Sequence, residues 1–127
     1  MLRSTNMTPE AMEKRRSRRV PISLSITGKC LKSALSGRPF EGKTRDISYG
    51  GLCVKVDGTN GFEIGQSVKF QTRLYQGDFL MKGEGKVCWI DTPPGAEAHL
   101  HLGVKVTHMR RYGLWVERIE NEILELA

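Results

Sequence analysis

The stretch Ser67-Val68-Lys69-Phe70-Gln71-Thr72-Arg73-Leu74-Tyr75 places its aliphatic and phenyl side chains at every second position, between charged and amide side chains. Successive side chains of a β-strand point to opposite faces, so this spacing predicts a strand with one face in a core and the other in water. Residues 98–107 repeat the pattern, because Leu100, Leu102 and Val104 alternate with polar residues. We therefore expect both stretches to lie in a half-buried antiparallel sheet.

Four further stretches have a strand-like composition, and the breaks between them carry the Gly, Asn, Asp and Pro residues that turns require. The six predicted strands are residues 20–27, 39–47, 52–57, 67–75, 79–90 and 98–107. No helical pattern separates them. This succession favours an antiparallel barrel or sandwich, in a mainly β fold.

Residues 109–127 change to helical spacing. Apolar residues recur there at steps of four and three, at Tyr112, Val116, Ile119, Ile123 and Leu126. Glutamates flank this stripe, which predicts a C-terminal helix that packs on the barrel. The alternatives are a helix that pairs across a dimer axis, or a homodimer contact through remaining apolar side chains such as Trp115 or Leu124.

The length of 127 residues, 39% of them hydrophobic, is enough for one domain with one core. No apolar run approaches the roughly 18 residues of a membrane span, and no signal peptide is evident, so we expect a soluble, cytoplasmic protein without membrane insertion. The three cysteines, Cys30, Cys53 and Cys88, are widely spaced and form no Cys-x-x-Cys pair. We expect free thiols, with those in the predicted strands behaving as small buried hydrophobes.

The net charge of +6 is unevenly distributed, because residues 1–19 carry +4 of it. Thr8 and Pro9 are typical of a helix start, so residues 1–12 are predicted to form a flexible segment or a short helix. We expect the charge that attracts anions to be concentrated in a flexible basic N-terminal arm.

Two motifs about twenty-five residues apart carry the chemistry: Arg15-Arg16-Ser17-Arg18-Arg19 and Asp46-Ile47-Ser48-Tyr49-Gly50-Gly51. A guanidinium makes parallel hydrogen bonds to a phosphate or to the O6/N7 edge of guanine. A carboxylate accepts from the guanine N1 and N2 hydrogens, and a glycine lets the backbone approach a ligand closely. Together the motifs predict a pocket for a small anionic purine nucleotide.

The pair resembles the signature of the PilZ domain, the bacterial receptor module for cyclic di-GMP, which is Arg-x-x-x-Arg followed by Asp/Asn-x-Ser-x-x-Gly. The matching residues are Arg15, Arg19, Asp46, Ser48 and Gly51. The resemblance extends through Val87-Cys88-Trp89-Ile90 and Leu102-Gly103-Val104-Lys105-Val106, and so covers residues 13–106. It implies a six-stranded antiparallel barrel of the split-barrel type, with residues 13–127 as the domain.

The resemblance also implies a function. Cyclic di-GMP would bridge the arm and the barrel through the five matching residues, order the arm, and change the surface that an effector protein reads, in motility or biofilm regulation. A second group of expected contacts is Lys14, Arg16, Arg18, Gly50, Trp89 and Gly103. Many relatives have arginine where Lys14 stands, so binding of one nucleotide and binding of an intercalated pair both stay open.

Simpler interpretations stand beside these. The basic arm could be a solvated tail, and Asp46 and Ser48 could form an ordinary turn in which Gly50 and Gly51 supply unusual dihedral angles. Trp89 is in step with Met81 and other apolar residues, which makes a core position nearly as well supported as a ligand contact.

Catalysis and metal binding are not predicted. His99 and His101 share a strand face, but no cysteine or carboxylate is placed to complete a zinc site, so we expect exposed histidines and no metal. No catalytic constellation is present, which indicates a binding protein and not an enzyme. The alternatives are a small basic barrel that binds nucleic acid, or a ligand-free adaptor. Nucleic acid is less favoured, because basic residues cluster in a tail and few aromatic residues are available for stacking.

Overall fold

The chain forms a closed barrel of six antiparallel strands followed by one helix, in a computed structural model that describes residues 18–31, 38–57, 61–75, 78–92 and 99–126. The elements are β1 (Ser25–Leu31), β2 (Pro39–Ser48), β3 (Gly51–Asp57), β4 (Ser67–Tyr75), β5 (Asp78–Asp91), β6 (His99–Met109) and α1 (Tyr112–Leu126). Around the barrel the strands follow the order β1-β2-β3-β6-β5-β4. The predicted fold is confirmed, whereas the predicted N-terminal segment or helix lies outside the described residues.

The alternation of apolar and polar side chains along the strands accounts for the apolar core of the barrel. In β4, every second residue from Val68 to Leu74 is buried and the residues between them are exposed. The one polar member of this buried set, Thr72, donates its hydroxyl to the carbonyl of Ser25 at 2.7 Å. The largest fully buried side chains are Ile26, Ile47, Leu52, Leu74, Met81, Leu102, Trp115 and Ile119. The barrel interior is therefore a packed apolar core.

The first predicted strand, residues 20–27, is wrong in its bounds, because β1 runs from Ser25 to Leu31. The alternation that suggested an earlier start is real, since Val20, Ile22 and Leu24 are all buried. However, this segment lies beside β2 without a continuous ladder. The backbone amide of Leu24 donates to the Thr44 hydroxyl at 2.8 Å instead of to a backbone carbonyl.

The start of the helix also differs from its prediction at residue 109. Met109 is the last residue of β6 and is buried in the core. Arg111 then adopts a φ of 55°, in the left-handed region that non-glycine residues rarely occupy. This conformation turns the chain away from the direction of β6, and α1 begins at Tyr112.

The helix buries a stripe that is offset from the predicted one. Trp115 and Ile119 are the fully buried residues of α1, whereas Tyr112 is 42% exposed. The expected packing of the helix on the barrel is correct, because both buried residues belong to the barrel core. The suggestion that Trp115 supplies a dimer contact is wrong, although Leu124 is 73% exposed. Within the described residues no helix is both long and apolar enough to cross a membrane.

Candidate functional site

The Asp-x-Ser-x-x-Gly motif forms the tight turn between β2 and β3. Ser48 pairs with Gly51 across the two strands, which leaves Tyr49 and Gly50 as the turn residues. A side chain at position 51 would place its Cβ 2.7 Å from the carbonyl oxygen of Val104, closer than a real Cβ contact allows. Gly51 is therefore required by the close approach of β6. Neither Gly50 nor Gly51 has a positive φ, so the expectation of unusual dihedral angles is wrong.

The helix α1 holds this turn from the core side. The indole N–H of Trp115 donates to the carbonyl of Ser48 at 2.8 Å, and the Tyr112 hydroxyl donates to the carbonyl of Tyr49 at 2.6 Å. The hydroxyl of Ser48 is itself buried and donates to the carbonyl of Gly51 at 3.3 Å. Two side chains of one helix therefore fix the backbone of the last residue of β2 and of the first turn residue.

An ion pair joins the two sequence motifs. The Arg19 guanidinium lies 2.6 Å from the Asp46 carboxylate, with side-chain exposures of 46% and 26%. The pair is positioned by the adjacent residues, because Val20 and Ile47 exchange two backbone hydrogen bonds of 2.8 and 3.0 Å. An exposed pair of this kind contributes only about 0–1 kcal/mol to stability. The ion pair is notable because it places a cation and an anion side by side at the surface, and not because of the stability that it adds.

Four outward positions form a row across neighbouring strands. Asp46 of β2 lies opposite Cys53 of β3, Cys53 lies opposite Gly103 of β6, and Gly103 lies opposite Trp89 of β5. We call this row, from Asp46 to Trp89, the platform. A Cβ on Gly103 would overlap the indole of Trp89, so the glycine leaves the space that the ring occupies. Trp89 and Gly103, both expected as secondary contacts, thus belong to one surface with Asp46.

Two β-bulges direct the ends of the platform outward. The register shifts between Thr44 and Asp46 in β2, and between Val87 and Trp89 in β5. A bulge inserts one extra residue and reverses the alternation beyond it. Without the first bulge, Asp46 would share the inward face of buried Thr44. The bulges are thus what turns an aspartate and a tryptophan toward solvent.

The second bulge corrects two expectations. Trp89 is not a core residue, because it is 36% exposed on the outer face, and Ile90 instead packs against the core. Cys88 is the extra residue of the bulge and is exposed, contrary to the prediction of a buried thiol. Strict alternation along the strand favours a core position for Trp89 and a buried thiol at Cys88, and the structure shows neither. The glycine at position 103 was the available signal, since it permits a large side chain to lie across its strand.

The thiol of Cys53 lies at the centre of the platform and is only 3% exposed. Burial raises its pKa, and the neighbouring Asp46 carboxylate raises it further. Cys53 is therefore a protonated, unreactive group that forms the apolar base of the platform. Cys30 is buried in the barrel core, where burial also raises its pKa.

A second polar group lies further along the same strands. Nδ1 of His101 is 2.9 Å from the Arg45 guanidinium, and Nδ1 of His99 is 3.2 Å from the Asp57 carboxylate. Partial burial lowers the pKa of His101, and Arg45 lowers it further. These histidines are half-buried and have side-chain neighbours, so the expectation of simple solvent exposure is wrong. Among the described residues, no three His, Cys, Asp or Glu side chains come together as a metal site.

The remaining predicted contacts divide into two groups. Arg18 and Gly50 are both exposed near the motif residues described above, and nothing within 4 Å would oppose a Cβ on Gly50. Arg15, together with Lys14 and Arg16, lies outside the described residues. The structure therefore brings together one arginine of the Arg-x-x-x-Arg motif and all three matching residues of the second motif.

The fold and the site define a class. The barrel interior is filled, and Arg19 and Asp46, one from each motif, meet on the outer surface beside a turn that the C-terminal helix fixes. This is a small β-barrel binding domain. The chain belongs to the PilZ domain family, whose family model matches residues 13–122. PilZ domains are non-enzymatic adaptors that typically bind cyclic di-GMP.

Solved structures support the fold. A structure of the Bacillus subtilis inhibitor of motility (MotI/DgrA) aligns with a TM-score of 0.68 and 16% identity, over 85% of this chain and 49% of that one. The chain thus spans about half the length of that relative. The PilZ domain of YcgR from Escherichia coli, with c-di-GMP, aligns with a TM-score of 0.55 and 13% identity, over 87% and 88% of the two chains. No curated protein sequence shows a significant match.

Proposed function

We propose that this protein is a cyclic di-GMP receptor that holds the nucleotide between the arginine arm and the platform. The observation that carries the proposal is the Arg19–Asp46 contact of 2.6 Å, which joins residues 27 positions apart in the chain. A cation for phosphate and an anion for the guanine N1 and N2 hydrogens thus meet at one place. Because each is partly exposed, a ligand can reach both.

In this proposal, binding of the nucleotide breaks the Arg19–Asp46 ion pair and gives each side chain a new partner. The Asp46 carboxylate accepts hydrogen bonds from the guanine N1 and N2 hydrogens. The released Arg19 guanidinium, with Arg15, binds phosphate or the O6/N7 edge. The surface ion pair is weak, so the exchange gives up little stability. Ser48 acts mainly through the backbone of its turn, since its hydroxyl already donates to Gly51. The exposed indole of Trp89 offers an aromatic face on which a guanine can stack.

The signal to an effector protein depends on the N-terminal arm. Neutralising its clustered arginines against phosphate removes their mutual repulsion, so the segment folds onto the barrel and presents a new surface to an effector protein. In this proposal the receptor acts in the cytoplasm, on motility or biofilm formation. The two similar structures are those of an inhibitor of motility and of a PilZ domain with c-di-GMP, which supports the same class of ligand and output.

The test is calorimetric titration of the full chain with cyclic di-GMP, with GTP and cyclic di-AMP as controls. We expect selective, saturable binding, and the stoichiometry will distinguish one nucleotide from an intercalated pair. Arg19→Ala and Asp46→Ala should each weaken binding at least tenfold with an unchanged circular dichroism spectrum. Asp57→Ala is the matched control, because Asp57 is another outward carboxylate that lies beside a nitrogen of a neighbouring side chain, His99, but is off the platform. Wild-type affinity in both site variants would refute the proposed site.

A further inference from the structure

The charge outside the N-terminal arm is not evenly spread, although it sums to only about +2. The helix α1 carries four glutamates and a single arginine. A groove of about 950 Å³ crosses β2, β1, β4 and β5 on the outside of the barrel and has the opposite character. Its charged lining consists of Lys29, Lys69, Lys82, Arg110, Glu41 and Glu84. We call this the basic groove. Besides the arm, where most of the net charge is concentrated, the barrel therefore has a basic surface of its own.

Two lysines of the basic groove lie directly opposite each other. Lys29 of β1 and Lys69 of β4 are cross-strand partners, and both are exposed or half-exposed on the outer face. Like charges at directly opposed positions destabilise a sheet. On its other side Lys69 lies opposite Glu84 of β5, whereas Lys29 lies opposite Pro39 of β2. Lys29 is therefore the lysine of the pair that has no anionic cross-strand neighbour, and an anionic group placed beside it would offset the lysine–lysine repulsion.

The location of the groove separates it from the platform. The strand order is β1-β2-β3-β6-β5-β4, so β1 and β4 lie across the barrel from β3 and β6, which carry the centre of the platform. Both surfaces can therefore be occupied at once. The barrel is closed, so the groove has no free strand edge, and recognition there must use side chains.

We propose that the basic groove binds an acidic segment of a partner protein. Two carboxylates also line the groove: Glu84 lies opposite Lys69, and Glu41 lies opposite Thr27. They would repel the continuous charge of a nucleic-acid backbone, but they can accept hydrogen bonds from peptide N–H groups. The groove also lacks a stacking surface, since its aromatic lining residues, Phe40 and Phe70, are half-buried and buried. A carboxylate-rich peptide fits this mixture of charges better than an oligonucleotide does.

The experiment measures binding of a fluorescein-labelled peptide of six Glu-Gly repeats to the full chain by fluorescence anisotropy. The double variant Lys29→Glu/Lys69→Glu should lose at least tenfold in affinity. The matched control is Lys43→Glu/Lys55→Glu, because these lysines are also direct cross-strand partners but lie outside the groove. It makes the same change in net charge and should lose less than threefold. In the wild type, the peptide should shift the backbone amide resonances of Gly28 and Gly83, which line the groove.

Several results would overturn the proposal: equal losses in the two double variants, unshifted groove amides, or tighter binding of a twelve-nucleotide oligothymidylate than of the peptide. Self-association that Lys29→Glu/Lys69→Glu abolishes would also overturn it, by assigning the groove to the acidic helix of a second copy. Should the charge reversal prevent folding, Lys29→Gln/Lys69→Gln gives the same test of peptide binding. Cyclic di-GMP titration of the same variants keeps the two proposals separate, because it should be unchanged by them.

Discussion

Trp115→Phe tests whether the helix supports the turn between β2 and β3 through one hydrogen bond. Trp115 is fully buried, and its indole N–H donates to the Ser48 carbonyl at 2.8 Å. Phenylalanine keeps an aromatic ring in the core but removes the donor. The carbonyl is then buried without its partner, which costs about 1–3 kcal/mol. Roughly 40 Å³ of lost volume, at about 24 cal/mol per Å³, adds about 1 kcal/mol.

The expected loss is therefore about 2–4 kcal/mol, a large share of the roughly 5–15 kcal/mol that stabilises a typical domain. For a chain of this size the midpoint of thermal unfolding should fall by about 10 °C. The measurement is urea unfolding followed by circular dichroism, with the slope against urea unchanged. A lower slope would indicate a less compact native state.

The chain supplies its own control, because its second tryptophan is on the outer face. Trp89 is 36% exposed, so Trp89→Phe should cost less than about 1 kcal/mol. Each variant leaves one tryptophan, so the emission of Trp89→Phe should be blue-shifted relative to that of Trp115→Phe. If the two variants unfold within about 0.5 kcal/mol of each other, the argument that Trp115 anchors the Ser48 carbonyl is wrong.

Three further outcomes are expected. Gly103→Ala should displace the indole of Trp89, weaken cyclic di-GMP binding and leave the core intact; unchanged tryptophan emission would contradict the overlap. Ellman's reagent should modify one thiol rapidly, and Cys88→Ser should remove that phase, because the other two thiols are buried with raised pKa values. Partial burial and Arg45 lower the pKa of His101 below 6.5, so the unfolded chain binds this proton more readily. Stability should therefore fall as pH drops below about 6.5, and His101→Gln should flatten that slope, as urea unfolding from pH 5 to 8 can measure.

The strands that carry unbroken alternation could be predicted from sequence. In β4 the predicted and observed bounds coincide, because one face meets the core and the other meets water along the whole strand. Prediction failed where alternation continued without a ladder, as in the segment from Val20 to Leu24, and where it was interrupted, as at the bulges beside Asp46 and Trp89. A single extra residue changes which face every later side chain occupies.

The amino-acid sequence by itself determined the mainly β class, the final helix and the residue types of the candidate site. Side-chain periodicity and motif spacing are local properties of the chain. Only the tertiary structure decided that Arg19 contacts Asp46, that Trp89 faces outward over Gly103, and that opposed lysines line a groove. Each of these depends on the register between strands distant in sequence, which the packing of the whole barrel selects and no single segment encodes.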